Sequence, residues 1–252
     1  GLYHSLLRRS ANRLMNGQEV EDPVLEFDGI SGEVAWDPRP ISRAGSERLI
    51  RLGFDYAQRR DGAPKDGVSR VTCVDKSNVT RGCQLFRRVF NEIAEDFPHI
   101  AHEAAFIDAF TMWMIRNPEW FDIVVTTNMF GDIATDLGSV LQGGMGMAAS
   151  GNIGDEHGLF EPVHGSSPKH AGKGVVNPIA TLNSVQLMLE WIGMQRDDAD
   201  ALAAADIIEQ AITAQLLSAE DLTYDLGGTA STSQVGDSIV ARVRTLLAEH
   251  YS

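Results

Sequence analysis

Phe121-Asp122-Ile123-Val124-Val125-Thr126-Thr127 runs directly into Asn128-Met129-Phe130-Gly131-Asp132-Ile133-Ala134-Thr135-Asp136. The first seven residues form a short, nearly continuous apolar run, as in a strand buried inside a mostly parallel sheet. Helical periodicity takes over across residues 130–142, and a buried strand feeding a helix is the repeating unit of α/β architecture. The same alternation extends in both directions. Upstream, residues 46–59 predict a helix, 68–74 a strand, 84–97 a helix stopped by Pro98, and 104–116 a further helix. Downstream, the glycine-rich stretch 143–174 predicts mostly loop, followed by helices over 178–192, 199–217 and 236–248. Residues 5–45 are polar, with β-like runs at 24–27 and 32–36 punctuated by Gly29 and Gly32, as in a projecting arm.

Composition narrows the chemistry. The chain has 252 residues and a net charge of -14 with no basic stripe, which argues against a nucleic-acid partner. No run approaches the roughly 18 apolar residues that a membrane span needs. Two cysteines, Cys73 and Cys83, imply no disulfide framework and point to a reducing, cytoplasmic compartment. The opening Gly1-Leu2-Tyr3 carries no methionine and reads as an entry in mid-element, so an upstream portion is expected.

Asp132 and Asp136 are four residues apart, so a helix sets both carboxylates on one face, one turn above the other. Like charges at that spacing repel by a few tenths of a kcal/mol. They follow a buried strand, at the carboxyl edge where open α/β sheets place ligands. A hard divalent cation such as Mg²⁺ or Mn²⁺ converts the repulsion into binding energy. The bland alternative is that Asp132 caps the helix and Asp136 is solvated. Asp108 lies in the apolar stretch Phe106-Ile107-Asp108-Ala109-Phe110 and should be paired, capping or metal-bound, because an isolated buried carboxylate is very costly. Lys76 falls just past a strand end, where it can reach the same crevice; most lysines in such places are merely solvated.

These stretches occur in a distinctive order. Gly1-Leu2-Tyr3, Val74-Asp75-Lys76-Ser77-Asn78-Val79, Phe106-Ile107-Asp108-Ala109 and the 128–136 stretch precede Phe160-Glu161-Pro162-Val163-His164-Gly165-Ser166-Ser167-Pro168 and Gly172-Lys173-Gly174-Val175-Val176-Asn177-Pro178. Together they resemble the 3-isopropylmalate dehydrogenase branch of the β-hydroxyacid oxidative decarboxylases, nearly end to end. The resemblance implies an isopropylmalate dehydrogenase-like α/β fold with a mixed sheet flanked by helices. It implies a substrate, metal and dimerisation subdomain over 1–143 and the C-terminal part of a cofactor subdomain over 144–252. The family is homodimeric, with an active site shared between subunits. Asp132 and Asp136 would hold Mg²⁺ or Mn²⁺, joined by Asp108 from the partner. Lys76, also from the partner, would take the hydroxyl proton, and Tyr3 would protonate the enol after decarboxylation. Asn78 would lie near the nicotinamide, and His164, Gly165 and Asn177 near the adenosine half. This family lacks the usual dinucleotide glycine fingerprint, so its absence here is no objection.

The chain departs from the pattern in two places. The family's substrate-binding arginines and side-group selectors lie upstream of Gly1, so which hydroxy-diacid is used stays open among isopropylmalate, isocitrate, homoisocitrate and tartrate or malate. Where NAD-using members place an aspartate, this chain has Lys169-His170. That resembles NADP-dependent isocitrate dehydrogenases, as does Thr223-Tyr224-Asp225, although Gly227-Gly228 replaces the arginine expected beyond it. A cation at the ribose favours a 2′-phosphate, which tilts NAD⁺ or NADP⁺ toward NADP⁺. A reading from another class is a non-catalytic regulatory subunit of a hetero-oligomeric isocitrate dehydrogenase. The joint presence of Tyr3, Lys76, Asp108, Asp132 and Asp136 argues against it.

Overall fold

The computed structural model describes residues 38–250. The sequence-predicted arm runs, and Tyr3, lie outside them. α1 (Arg43–Ala57) begins where the Ser42 hydroxyl accepts the Gly45 N–H, a side-chain cap for an otherwise orphaned donor. β1 (Arg70–Asp75), buried along its whole length, is followed by α2 (Arg81–Ala94), β2 (Ala101–Phe106), α3 (Ile107–Arg116), β3 (Ile123–Thr126) and α4 (Asn128–Leu141). Strand order is β2-β1-β3, and both pairings are parallel. All three strands therefore end at one edge, and the residues that leave it begin with Lys76, Ile107 and Thr127.

The layer beneath is apolar. Ile50, Phe54 and Ala57 of α1 join Val71, Cys73 and Val125 of the sheet and Phe86, Val89 and Phe90 of α2 in one cluster. Gly53 lets α1 lie against the sheet, because a Cβ there would stand 2.4 Å from a Val125 methyl. Burial pushes the Cys73 thiol up to about 12, with Asp75 adding to the rise. Neither cysteine is disulfide-bonded and both are buried, so Cys73 is a packing residue.

A second block follows. The glycine-rich stretch 143–174 is mostly loop, as its composition suggests, but it carries one element that the composition hides. β4 (Ala149–Ile153) and β5 (Gly158–Pro162) form an antiparallel hairpin, separate from the parallel sheet. α5 (Ile179–Arg196), α6 (Ala199–Ser218) and α7 (Thr232–His250) bury Ile179, Ala211, Ile212, Val235 and Ile239 around Met147.

The sequence expectation also fails across 104–106. The helix predicted from 104 starts at Ile107, and residues 101–106 are strand β2. Ala, His and Glu are weak strand formers, but parallel pairing with β1 along the sheet edge overrides local preference. Among the described residues the three-stranded sheet is wholly parallel rather than mixed. No helix of the described residues is long and apolar enough to cross a membrane.

Candidate active site

The carboxyl edge of the parallel sheet carries the first group of candidates. Lys76 follows β1 directly, its side chain 27% exposed, and its ammonium pairs with the Asp108 carboxylate. Asp108 sits in the first turn of α3, where a negative charge also suits the helix dipole. The bond from Lys76 holds its carboxyl below the usual carboxylate range. Asp108 is thus paired, as its apolar stretch led one to expect, but it is 66% exposed rather than buried. Nor does it take the cap position, which belongs to Phe106; every second residue of β2 faces solvent, and the strand delivers Asp108 at its wet end. Asn78 lies exposed on the turn with Lys76.

A second group lies on α4. Asp132 is the fifth residue of that helix, too far in to cap it, and Asp136 is one turn on; both are exposed. Both line a cleft of about 910 Å³ between α4 and the β4–β5 hairpin, with Thr126, Glu161, His164 and Gly165. Neither carboxylate has a hydrogen-bond or ion-pair partner among the described residues. Two unpaired oxygen donors one helical turn apart fit a hard divalent cation. Asp108 is not gathered with them, and no cluster of three acidic, histidine or cysteine ligands exists among the described residues.

The third group surrounds a cleft of about 800 Å³ that shares His164 and Gly165 with the first. Its walls include His170, Asn177, Tyr224 and Asp225. The His170 and Tyr224 rings stack at 6.2 Å, and a hydrogen bond of 2.8 Å joins Ser167 Oγ and His170 Nδ1. Gly172 and Gly174 hold positive φ, and a side chain on either would meet nothing, leaving a smooth backbone wall where a flat ring can lie. Asn177 donates from Nδ2 to Asp225 at 3.1 Å and accepts the Ile179 N–H at 3.0 Å. Its amide is thus held at the start of α5 rather than free to point into the cleft. Lys169 is exposed and stands outside the lining, one residue from His170.

A family model described as isocitrate/isopropylmalate dehydrogenase matches residues 12–239. The chain belongs to the isocitrate/isopropylmalate dehydrogenase family. Similar to it are the homoisocitrate dehydrogenase of Methanocaldococcus jannaschii, 39% identical over 97% of this chain and 67% of the relative, and that organism's 3-isopropylmalate/3-methylmalate dehydrogenase, 39% identical over 95% and 67%. Among solved structures, isocitrate dehydrogenase from Methylococcus capsulatus superposes with a TM-score of 0.72 at 38% identity, covering 87% of this chain and 62% of that one. The apo β-decarboxylating dehydrogenase of Thermococcus kodakarensis gives 0.74 at 36% identity, covering 87% and 61%. The chain spans about two thirds of the length of these dehydrogenases.

Sequence reasoning passed over one feature beside this edge. Asp75, the last residue of β1, is fully buried and held by Arg87. The available signal was the carboxylate itself: an Asp closing the apolar run Val71-Thr72-Cys73-Val74 requires a cationic partner.

Proposed function

We propose that this chain carries out metal-dependent oxidative decarboxylation of a 2-hydroxy acid bearing a β-carboxylate, with hydride transfer to NAD⁺ or NADP⁺, as a 3-isopropylmalate dehydrogenase. The observation that carries the reading is the Asp132–Asp136 pair, unpartnered and facing the first cleft. These carboxylates would hold Mg²⁺ or Mn²⁺, which supplies Lewis-acid polarisation of the new carbonyl as CO₂ leaves. Lys76, as its neutral amine, takes the substrate's hydroxyl proton at Nζ, and Asp108 orients the side chain and stabilises the ammonium so formed. Tyr3 returns a proton to the enol. Asn78 would lie beside the nicotinamide, and the residues lining the cleft from His164 to Asp225 would hold the adenosine half. An exposed cation at Lys169, beside His170, favours a ribose 2′-phosphate and hence NADP⁺.

The reading includes a homodimer with a shared site, in which Lys76 and Asp108 of one subunit meet Asp132 and Asp136 of the other. It is supported by the separation of these two groups within one chain. It is supported too by apolar side chains standing in solvent on α3 and α4, with Ile115 57%, Ile133 53% and Val140 70% exposed; surface of this kind marks an interaction face. The two subdomains, 1–143 and 144–252, fit the separate cores around Phe54 and Ile179, and the two buried free thiols suit a cytoplasmic location.

Relatives named for homoisocitrate and isocitrate dehydrogenation are as similar as those named for isopropylmalate. The test is turnover of isopropylmalate, isocitrate, homoisocitrate, tartrate and malate by the full-length protein, with each cofactor and Mn²⁺. Isopropylmalate should be the best substrate. Preference for another acid reassigns the substrate, and no turnover of any rejects the reading.

A further inference from the structure

β1 and β2 run in register with Asp75 opposite Phe106. The next residues out of the sheet are therefore Lys76 on one strand and Ile107-Asp108 on the other. What fixes this edge lies just beneath it. The Asp75 carboxylate is 0% exposed and accepts two bonds from Arg87, Nε at 2.8 Å and Nη2 at 2.9 Å. Its Oδ1 also accepts the Ser77 N–H at 2.8 Å, which pins the turn carrying Lys76. Arg87 Nη2 reaches the Ala105 carbonyl at 3.4 Å, and the guanidinium lies 5.9 Å from the centre of the Phe106 ring. Lys76 Nζ lies 5.8 Å from the same ring. The Asp75–Arg87 pair thus ties the end of β1, the turn after it and the end of β2.

Stability alone does not account for an ion pair in this place. Replacing a buried pair by well-packed apolar residues is often neutral or stabilising, because desolvating two charges is expensive. What a planar, two-pronged contact adds is orientation. We propose that Asp75 and Arg87 are positioning residues that set the distance and angle between Lys76 and Asp108, and so aim Lys76 Nζ at the hydroxyl proton for the oxidation step. They touch neither substrate nor cofactor. The proposal rests on the reading of Lys76 as proton acceptor.

The experiment uses the full-length protein with Arg87→Lys, the paired Asp75→Asn/Arg87→Met change, and Arg88→Lys at the exposed neighbouring position as control. Arg87→Lys keeps the charge and loses the fork; the paired change removes both charges, so no buried carboxylate is left unpaired. Hydrogen exchange followed by mass spectrometry should show residues 76–80 and 107–110 exchanging about tenfold faster in both variants, while α5–α7 exchange as in the parent. Because a misplacement of about 1 Å can cost about 100-fold, oxidation of the hydroxy acid should slow by about ten- to a hundredfold in kcat with KM little changed. Decarboxylation of the supplied β-keto acid, which does not use the Lys76 proton acceptor, should keep the parental rate. Arg88→Lys should match the parent throughout. Unchanged exchange at the turn, oxidation at the parental rate, or equal losses in both partial reactions would each overturn the proposal. A parent that catalyses neither partial reaction rejects the functional reading instead, and the exchange data then decide by themselves whether the clamp fixes the turn.

Discussion

Lys76 and Asp108, 32 residues apart in sequence, form an ion pair across the ends of two adjacent parallel strands. The pair is partly wet, so solvent screens it and it adds little to folding. Its removal separates chemistry from stability. Lys76→Ala should move the melting temperature by no more than about 3 °C while lowering hydroxy-acid turnover about 100-fold or more. Calorimetric melts and initial rates on the same samples check this. A large melting shift with a proportionate activity loss would make Lys76 a structural residue.

The paired carboxylates on α4 make an opposite demand. With no metal bound they repel, so Asp132→Asn or Asp136→Asn should leave the metal-free protein as stable as the parent or slightly more so, by a few tenths of a kcal/mol. Each change should weaken Mn²⁺ binding about tenfold or more. Titration calorimetry measures the affinity directly, and unchanged affinity in both variants would remove these residues from the metal site.

Lys169 is exposed, next to His170 in sequence, and not among the residues that line the second cleft. If it meets a 2′-phosphate it does so through its long side chain. Lys169→Asp should then shift the ratio of kcat/KM values for NADP⁺ over NAD⁺ downward by about tenfold. A parent that strongly prefers NAD⁺ would leave Lys169 as a surface charge.

Glu190 on α5 is half-buried, and its carboxyl is raised above the usual range, first by burial and then by the neighbouring Glu209. The folded state therefore favours its protonated form. Its favourable contribution is complete below the unfolded-state value and is lost as pH rises through the folded one. Glu190→Gln should accordingly melt about 1–3 °C higher than the parent near pH 7, with the difference shrinking toward pH 4. Melting curves across that range test the sign; a variant less stable at pH 7 would show the ionised carboxylate to be stabilising.

The parts of this molecule that could be read from sequence are those whose signal is local. β3 and α4 announce themselves through an apolar run that changes period at Asn128, and the Asp132–Asp136 spacing places two carboxylates on one face without knowledge of the fold. β2 was illegible, because Ala101-His102-Glu103-Ala104-Ala105-Phe106 becomes a strand only by pairing with β1. The β4–β5 hairpin was hidden by its glycines; Gly151 across the pair and Gly158 on the same strand leave room for the Phe160 ring. The exposure of Asp108 and the Asp75–Arg87 contact depend on which strands become neighbours, and no spacing rule encodes that.

The two cysteines of the chain, Cys73 on β1 and Cys83 on α2, are both completely inaccessible and lie in the same half of the molecule. None lies among α5, α6 and α7. The unmodified protein thus carries a spectroscopic clock. A thiol-reactive dye in excess can label it only when β1 or α2 opens, so the labelling rate counts excursions of the parallel sheet and is blind to motions confined to the helices beyond residue 179. A cofactor that slows the clock has stabilised the half that holds β1 and α2, and one that leaves it unchanged has not.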